Sequence, residues 1–146
     1  MKKLNVTQVD EVLPFIEKGV ADHPLGSRLD PAYLLAFVTL LISSGTGAVF
    51  VDDLKNPTYG FVATIGKLGI VNEKNCFLNV VYALPDARNA NTTSSLITNI
   101  EAYAKAEKCD IIRGASPRFE GSESIDHFWE AMGAVPEEMV FIKKLN

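Results

Sequence analysis

The sequence predicts an α/β (α+β) fold whose elements run β-α-α-β-β-β-α-β-α-β. Three stretches carry most of that expectation. Residues 77–82 are a run of β-formers that leads through a loop with Pro85, Asn89 and Asn91 into a helical pattern over about 93–108. Asp30 and Pro31 make an N-cap and first-turn pair for a helix that runs to about Ser43 and ends before Gly45. Residues 47–51 and 59–65 read as strands, with Asp52, Asp53, Asn56 and Pro57 in the turn between them, which makes a hairpin with a longer loop.

The remaining elements follow in order. Residues 4–7 suit a short first strand. Val9, Val12, Leu13 and Ile16 recur at helical spacing over 8–19, and Pro14 predicts a kink there or a start at Asp10 and Glu11. Pro24 and Gly26 mark 22–27 as a loop. The helix after Asp30 is apolar almost all round, which predicts deep burial or a partner, a homodimer among the options. Residues 66–74 read as an irregular link. Leu96, Ile100, Tyr103 and Ala104 form one apolar stripe on the long helix. Residues 110–115 suit a buried strand and 116–121 a loop. Ser122 or Ser124 caps a short helix over 125–132, closed by Gly133, and 139–145 make a last strand.

A chain of 146 residues is the size of one domain, here 1–146, and 47% hydrophobic residues against 22% charged ones suffice for a core. The net charge is −4, and the basic pairs Lys2-Lys3 and Lys143-Lys144 are the only clusters, which argues against a nucleic-acid binder. Cys76 and Cys109 lack metal-ligand spacing and read as reduced core thiols, so no metal is expected. The longest apolar run, 32–42, falls short of the roughly 20 residues that a membrane helix needs. With no targeting segment visible, the expectation is a soluble cytoplasmic protein that binds no membrane.

The strand, polar loop and helix over 76–108 point unpaired backbone amides toward whatever lies at the helix N-terminus, where the dipole favours anions. Most units of this shape bind nothing. Here the loop reads Pro85-Asp-Ala-Arg88-Asn-Ala-Asn91-Thr-Thr93. It resembles, without a gap, motif A of the GNAT superfamily of N-acetyltransferases: Pro-x-x-(Arg/Gln)-x-x-Gly-x-(Gly/Ala). Leu96 and Ile97 match that motif's first apolar helix pair. His127-Phe-Trp129-Glu-Ala-Met-Gly133 is similar to the family's Phe-Tyr-x-x-x-Gly-Phe, and Gly60 sits where the third long strand commonly has glycine. The resemblance covers nearly the full chain.

It implies a mixed, mostly antiparallel central sheet flanked by helices, with strand 77–82 splayed from 110–115 at its C-terminal end. It also implies acetyl-coenzyme A (acetyl-CoA) as co-substrate. Backbone N–H groups of Val81, Tyr82 and Ala83 would polarise the thioester carbonyl. Arg88, Asn89, Ala90, Asn91, Thr92, Thr93 and Ser94 would hold the pyrophosphate, and Ser122 would meet the pantetheine arm. Asn91 and Thr93 replace the motif's glycines. Asn tolerates a positive φ, so Asn91 is expected to hold the turn, while Thr93 adds bulk and a hydroxyl suited to a cap or a phosphate.

Catalytic candidates are fewer. Trp129 aligns with a tyrosine that meets the leaving thiolate, and its indole N–H donates a hydrogen bond but is no practical acid. Asn79 stands in mid-strand, where several relatives have an acidic residue, and it would position a water or the substrate. His127 and His23 are candidates for a base by residue type, although each reads first as a surface or loop histidine. Arg88 reads as readily as a solvated loop cation. Two functions remain open. One is direct acetyl transfer from acetyl-CoA to a primary amine of a small molecule or peptide. The other is a catalytically inactive GNAT-fold binding or structural module, of the kind expected among phage proteins.

Overall fold

The computed structural model describes residues 1–22, 26, 29–116, 122–137, 143 and 145. Contacts divide the chain into two compact units, Met1–Ala115 and Ser116–Asn146.

The first unit is a five-stranded sheet in chain order. Its strands are β1 (Lys2–Lys3), β2 (Gly47–Val51), β3 (Tyr59–Lys67), β4 (Lys74–Ala83) and β5 (Ile111–Arg113). Every pairing is antiparallel except β4 with β5, which is parallel. The mixed, mostly antiparallel sheet is therefore as expected.

The first strand is displaced from 4–7 to Lys2–Lys3. Asn5 explains the shift. Its side chain accepts from the Thr7 amide at 3.0 Å, and Gln8 Oε1 accepts from the Asn5 amide at 3.0 Å. This reciprocal cap turns Val6–Gln8 into a 3-10 turn. The helix α1 (Val9–Ala21) follows directly and runs through Pro14, beginning before Asp10 and ending beyond Gly19. Val12 and Ile16, on either side of the proline, are buried and hold that turn against the sheet.

Asp30 caps α2 (Pro31–Ser43) as its sequence predicts, its Oδ1 accepting from the amides of Ala32 at 3.0 Å and Tyr33 at 3.3 Å. Leu34, Val38 and Leu41 are buried, but Tyr33 and Leu40 on the other face are 72% and 66% exposed. The helix is thus buried on one side only. Together α1, α2 and β2–β4 enclose a core of Val12, Ile16, Leu34, Val38, Val49, Val51 and Val62. Gly60 is needed on this face, because a Cβ there would lie 2.4 Å from the Phe50 carbonyl oxygen.

The turn between β2 and β3 is held by its two acids. Asp53 accepts from the amides of Lys55 and Asn56, which hold its carboxyl below the usual range, and Asp52 accepts from the amides of Thr58 and Tyr59. The β3–β4 hairpin is longer than expected, because pairing continues to Lys67 and Lys74 through part of the link read as irregular.

The opposite sheet face carries α3 (Ala90–Ala106). Leu96, Ile100, Tyr103 and Ala104 are its buried stripe, as predicted. Tyr103 packs on Phe50 at 5.3 Å, and Phe50 stacks on Phe61 at 4.9 Å. The helix starts three residues before Thr93 because Asn89 is its N-cap, accepting from the Thr92 amide at 3.0 Å. Lys108, at φ 55, turns the chain toward β5. That strand is three residues long and half-buried rather than fully buried.

In the second unit, α4 spans Glu123–Ala131, two residues longer at its start than predicted, and Gly133 at φ 76 follows it. Ser122 stands at the N-cap but makes no side-chain capping bond. Instead Asp126 in the first turn accepts from the Ser116 hydroxyl. The expected strand over 139–145 lies outside the described residues apart from Lys143 and Leu145. No described helix is long and apolar enough to cross a membrane.

Candidate active site

The two ends of β4 are built differently. Asn75, Cys76 and Phe77 pair with β3 on one side and with Ile111, Ile112 and Arg113 on the other. Among the described residues, that second pairing stops at Phe77, six residues before β4 ends. The expected splay is thus present as a strand bonded on both sides, then on one.

A bulge sits at the divide. Val62 pairs with Val80 but Ala63 pairs with Leu78, so Asn79 is an extra residue in β4. The extra residue reverses which backbone groups face β3. Beyond it the Leu84 amide bonds the Thr58 carbonyl at 2.8 Å, and Tyr82 pairs with Gly60. Val81 and Ala83 therefore turn their N–H and C=O groups to the side that β5 has left. Asn79 itself is exposed, its Oδ1 accepting from the Thr64 hydroxyl at 3.1 Å.

The loop after β4 uses much of its polarity on itself. Arg88 is exposed, yet its Nε donates to the Ala83 carbonyl at 3.0 Å and its guanidinium lies 5.9 Å from the Tyr82 ring centroid. Asn89 caps α3, and its Nδ2 donates to the Ala87 carbonyl at 3.3 Å. Thr93 donates both its amide and its hydroxyl to the Asn89 carbonyl, at 3.0 and 3.2 Å. The amides of Ala90 and Asn91 meet no protein acceptor among the described residues. Thr92 is buried in the first turn and Ser94 is exposed there.

Two expectations for this loop need correction. Asn91 does not hold a left-handed turn: it is helical, and Lys108 is the only non-glycine residue described with positive φ. Asn89 starts the helix early enough to take Asn91 into it. Thr93 neither caps the helix nor turns its hydroxyl outward, because that hydroxyl is bonded one turn back.

Sequence reasoning missed the partner of Tyr82. Its phenol donates to Asp22 Oδ2 at 2.7 Å across 60 positions of sequence. The ring packs against Phe15 at 5.5 Å and against Gly19, where a Cβ would fall 2.9 Å from Tyr82 Cγ. Burial first, and then the Asp22 carboxylate, pushes the phenol's pKa up. Only the small size of Gly19 hinted at a close neighbour, and nothing in the sequence named it.

In the second unit, Ser122 is buried, His127 is exposed and Trp129 is half-buried, with its ring edge-on to Phe128 at 5.6 Å. His23 lies outside the described residues. Among the described residues no three His, Cys, Asp or Glu side chains group as metal ligands. Burial pushes the Cys76 thiol up to about 12, which leaves it a protonated core residue.

No protein-family model matches the chain, and no curated protein does. Solved structures do. A predicted acetyltransferase from Clostridium acetobutylicum, solved with acetyl-CoA, is 8% identical with a TM-score of 0.80, over 99% of this chain and 94% of that one. An aminoglycoside N-acetyltransferase in complex with coenzyme A is 16% identical with a TM-score of 0.74, over 99% and 93%. A ribosomal-protein-alanine N-acetyltransferase from Brucella melitensis biovar Abortus is 12% identical with a TM-score of 0.70, over 99% and 98%. At such identities the likeness speaks for architecture alone, and that architecture is the GNAT fold.

Proposed function

We propose that the protein is an N-acetyltransferase that moves the acetyl group of acetyl-CoA to a primary amine on a small molecule or peptide. The observation that carries the reading is the bulge at Asn79, which turns the Val81 amide toward the open side of β4. A thioester carbonyl placed there accepts a hydrogen bond that strengthens as charge builds on its oxygen. The amine nitrogen bonds to the carbonyl carbon, the carbon–sulfur bond breaks and the thiolate leaves, and the proton shed by the nitrogen passes through water to the departing sulfur or to solvent. The Ala90 and Asn91 amides, at the positive end of the α3 dipole, suit a pyrophosphate. Arg88 joins them by exchanging the Ala83 carbonyl for a phosphate oxygen. Asn79 takes no proton and orients acceptor or water. Coenzyme bound in two of the solved neighbours supports this assignment, and the aminoglycoside acetylated by one of them supports a small amine as acceptor.

One observation favours a second reading, an inactive binding or structural module: Arg88 and Thr93 spend their donors on their own loop. Melting curves separate the two. A ligand at a hundredfold excess over its Kd adds about 2.7 kcal/mol. Millimolar acetyl-CoA should therefore raise the midpoint by several degrees, and less in Arg88→Ala. A paired Asn91→Gly and Thr93→Gly variant should bind better through closer backbone approach. Both positions are helical, so it starts from a lower ligand-free melt, by up to roughly 1 kcal/mol for each glycine. A shift in the glycine variant alone would leave the module reading. No shift in either would remove the coenzyme from the account.

A further inference from the structure

From Pro31 to Ser43, α2 carries no charged residue. A helix that is apolar all round belongs in an interior. Yet only Leu34, Val38 and Leu41 are buried, packed into the core with α1 and β2. Ala32, Tyr33, Ala36, Leu40 and Ser43 make the opposite face, and all five are exposed. Ala36 is the centre of that face, with the large side chains of Tyr33 and Leu40 one turn away on either side. Val6, also exposed, stands on the 3-10 turn that packs against this helix.

An occupant of such a face must itself be uncharged where it touches. A membrane surface fits badly, because a helix that lies on lipid carries Lys and Arg on its polar face and α2 has neither. A second copy fits. Two chains of net charge −4 repel each other, and this face is where that repulsion has no local source. Laid antiparallel across a twofold axis near Ala36, the small side chains let the helices approach, and Tyr33 of each copy lies toward Leu40 of the other. The same arrangement sets the negative end of each helix dipole beside the positive end of its mate.

We propose that the exposed face of α2 is an interface between two copies of this chain, related by a twofold axis at Ala36. A 13-residue helix is about 20 Å long and about 10 Å across, so the contact covers less than the roughly 800 Å² per partner of a standard interface. The dimer is therefore weak and reversible. The inference stands apart from the acetyltransferase reading.

The test is sedimentation of the full chain from micromolar to millimolar concentration. Wild type should rise from the mass of one chain toward that of two. Ala36→Glu sets two carboxylates against each other at the axis and should raise the dissociation constant by on the order of tenfold or more. Ala36→Lys should do the same with two ammonium groups. An equal mixture of the two variants should associate again, because only a face that meets itself brings position 36 of one copy to position 36 of the next. Ile70→Glu adds the same charge at an exposed apolar residue between β3 and β4, and should associate as wild type does. A wild type that stays single up to millimolar concentration would overturn the proposal. So would association that Ala36→Glu leaves intact, that Ile70→Glu abolishes equally, or that the mixture fails to restore. Capture of the chain by anionic vesicles without self-association would give the face to a membrane and overturn it as well.

Discussion

The first four residues of β4 and the last five belong to one continuous strand with opposite tasks. Lys74 to Phe77 are bonded between β3 and β5, with Asn75 and Cys76 fully buried. Asn79 to Ala83 follow the bulge, lean on β3 alone and keep one edge unpaired by any described strand. The sealed end supplies rigidity, and the open end supplies backbone donors held by that rigidity. An edge of outward-facing backbone groups can thus be made from main chain, by inserting one residue and stopping one neighbour early.

The sharpest way to test this contrast is at the sealed end. Asn75 donates to the Glu73 carbonyl at 2.9 Å and accepts from Arg113 Nε at 3.3 Å, so it ties β4 to β5 with no solvent access. Asn75→Ala should cost about 1–3 kcal/mol in urea unfolding, the penalty of stranding buried polar partners. A loss within the error of the measurement would mean that this end is not sealed.

A smaller effect should come from pH. Cys76 has an ordinary thiol value of 9.0, raised by burial to about 12. The folded state keeps that proton longer than the unfolded chain does. The group's contribution is complete below pH 9 and is lost as pH climbs from 9 toward 12. Wild type should therefore lose stability over the measurable part of that window, and Cys76→Ala, whatever its cost at pH 7, should lose less. Parallel alkaline slopes in the two melting series would contradict burial as the cause.

The smallest stability change belongs to the open end. Asn79 is exposed and bonded only to Thr64, so Asn79→Ala should alter stability by no more than about 0.5 kcal/mol. A cost as large as that of Asn75→Ala would erase the distinction between the two halves.

Local signals were legible in the sequence. Asp30 and Pro31 start α2 where predicted, and the stripe from Leu96 to Ala104 is the buried face of α3. Two boundaries were missed although their signals are local. Asn5 with Gln8 forms the cap that ends β1, and Asn89 caps α3 ahead of Thr93. The bulge is different in kind. It exists only relative to the register of β3, and residues 77–82 alternate no differently for containing it. Tyr82 and Asp22 likewise meet because α1 crosses the end of β4, a fact of packing that neither segment states alone.

One consequence concerns solubility. The edge of the sheet at β1 is two residues long, and both are exposed lysines. A strand of another molecule docking there in the same way would set its own lysine pair against Lys2 and Lys3, with like charges facing each other on both sides of the sheet and little ladder to compensate. Leu4 behind them is already bonded to Val49 and buried, so the docking strand finds no further backbone to grip. This border resists runaway stacking of one sheet upon the next, a protection written into the first three residues of the chain.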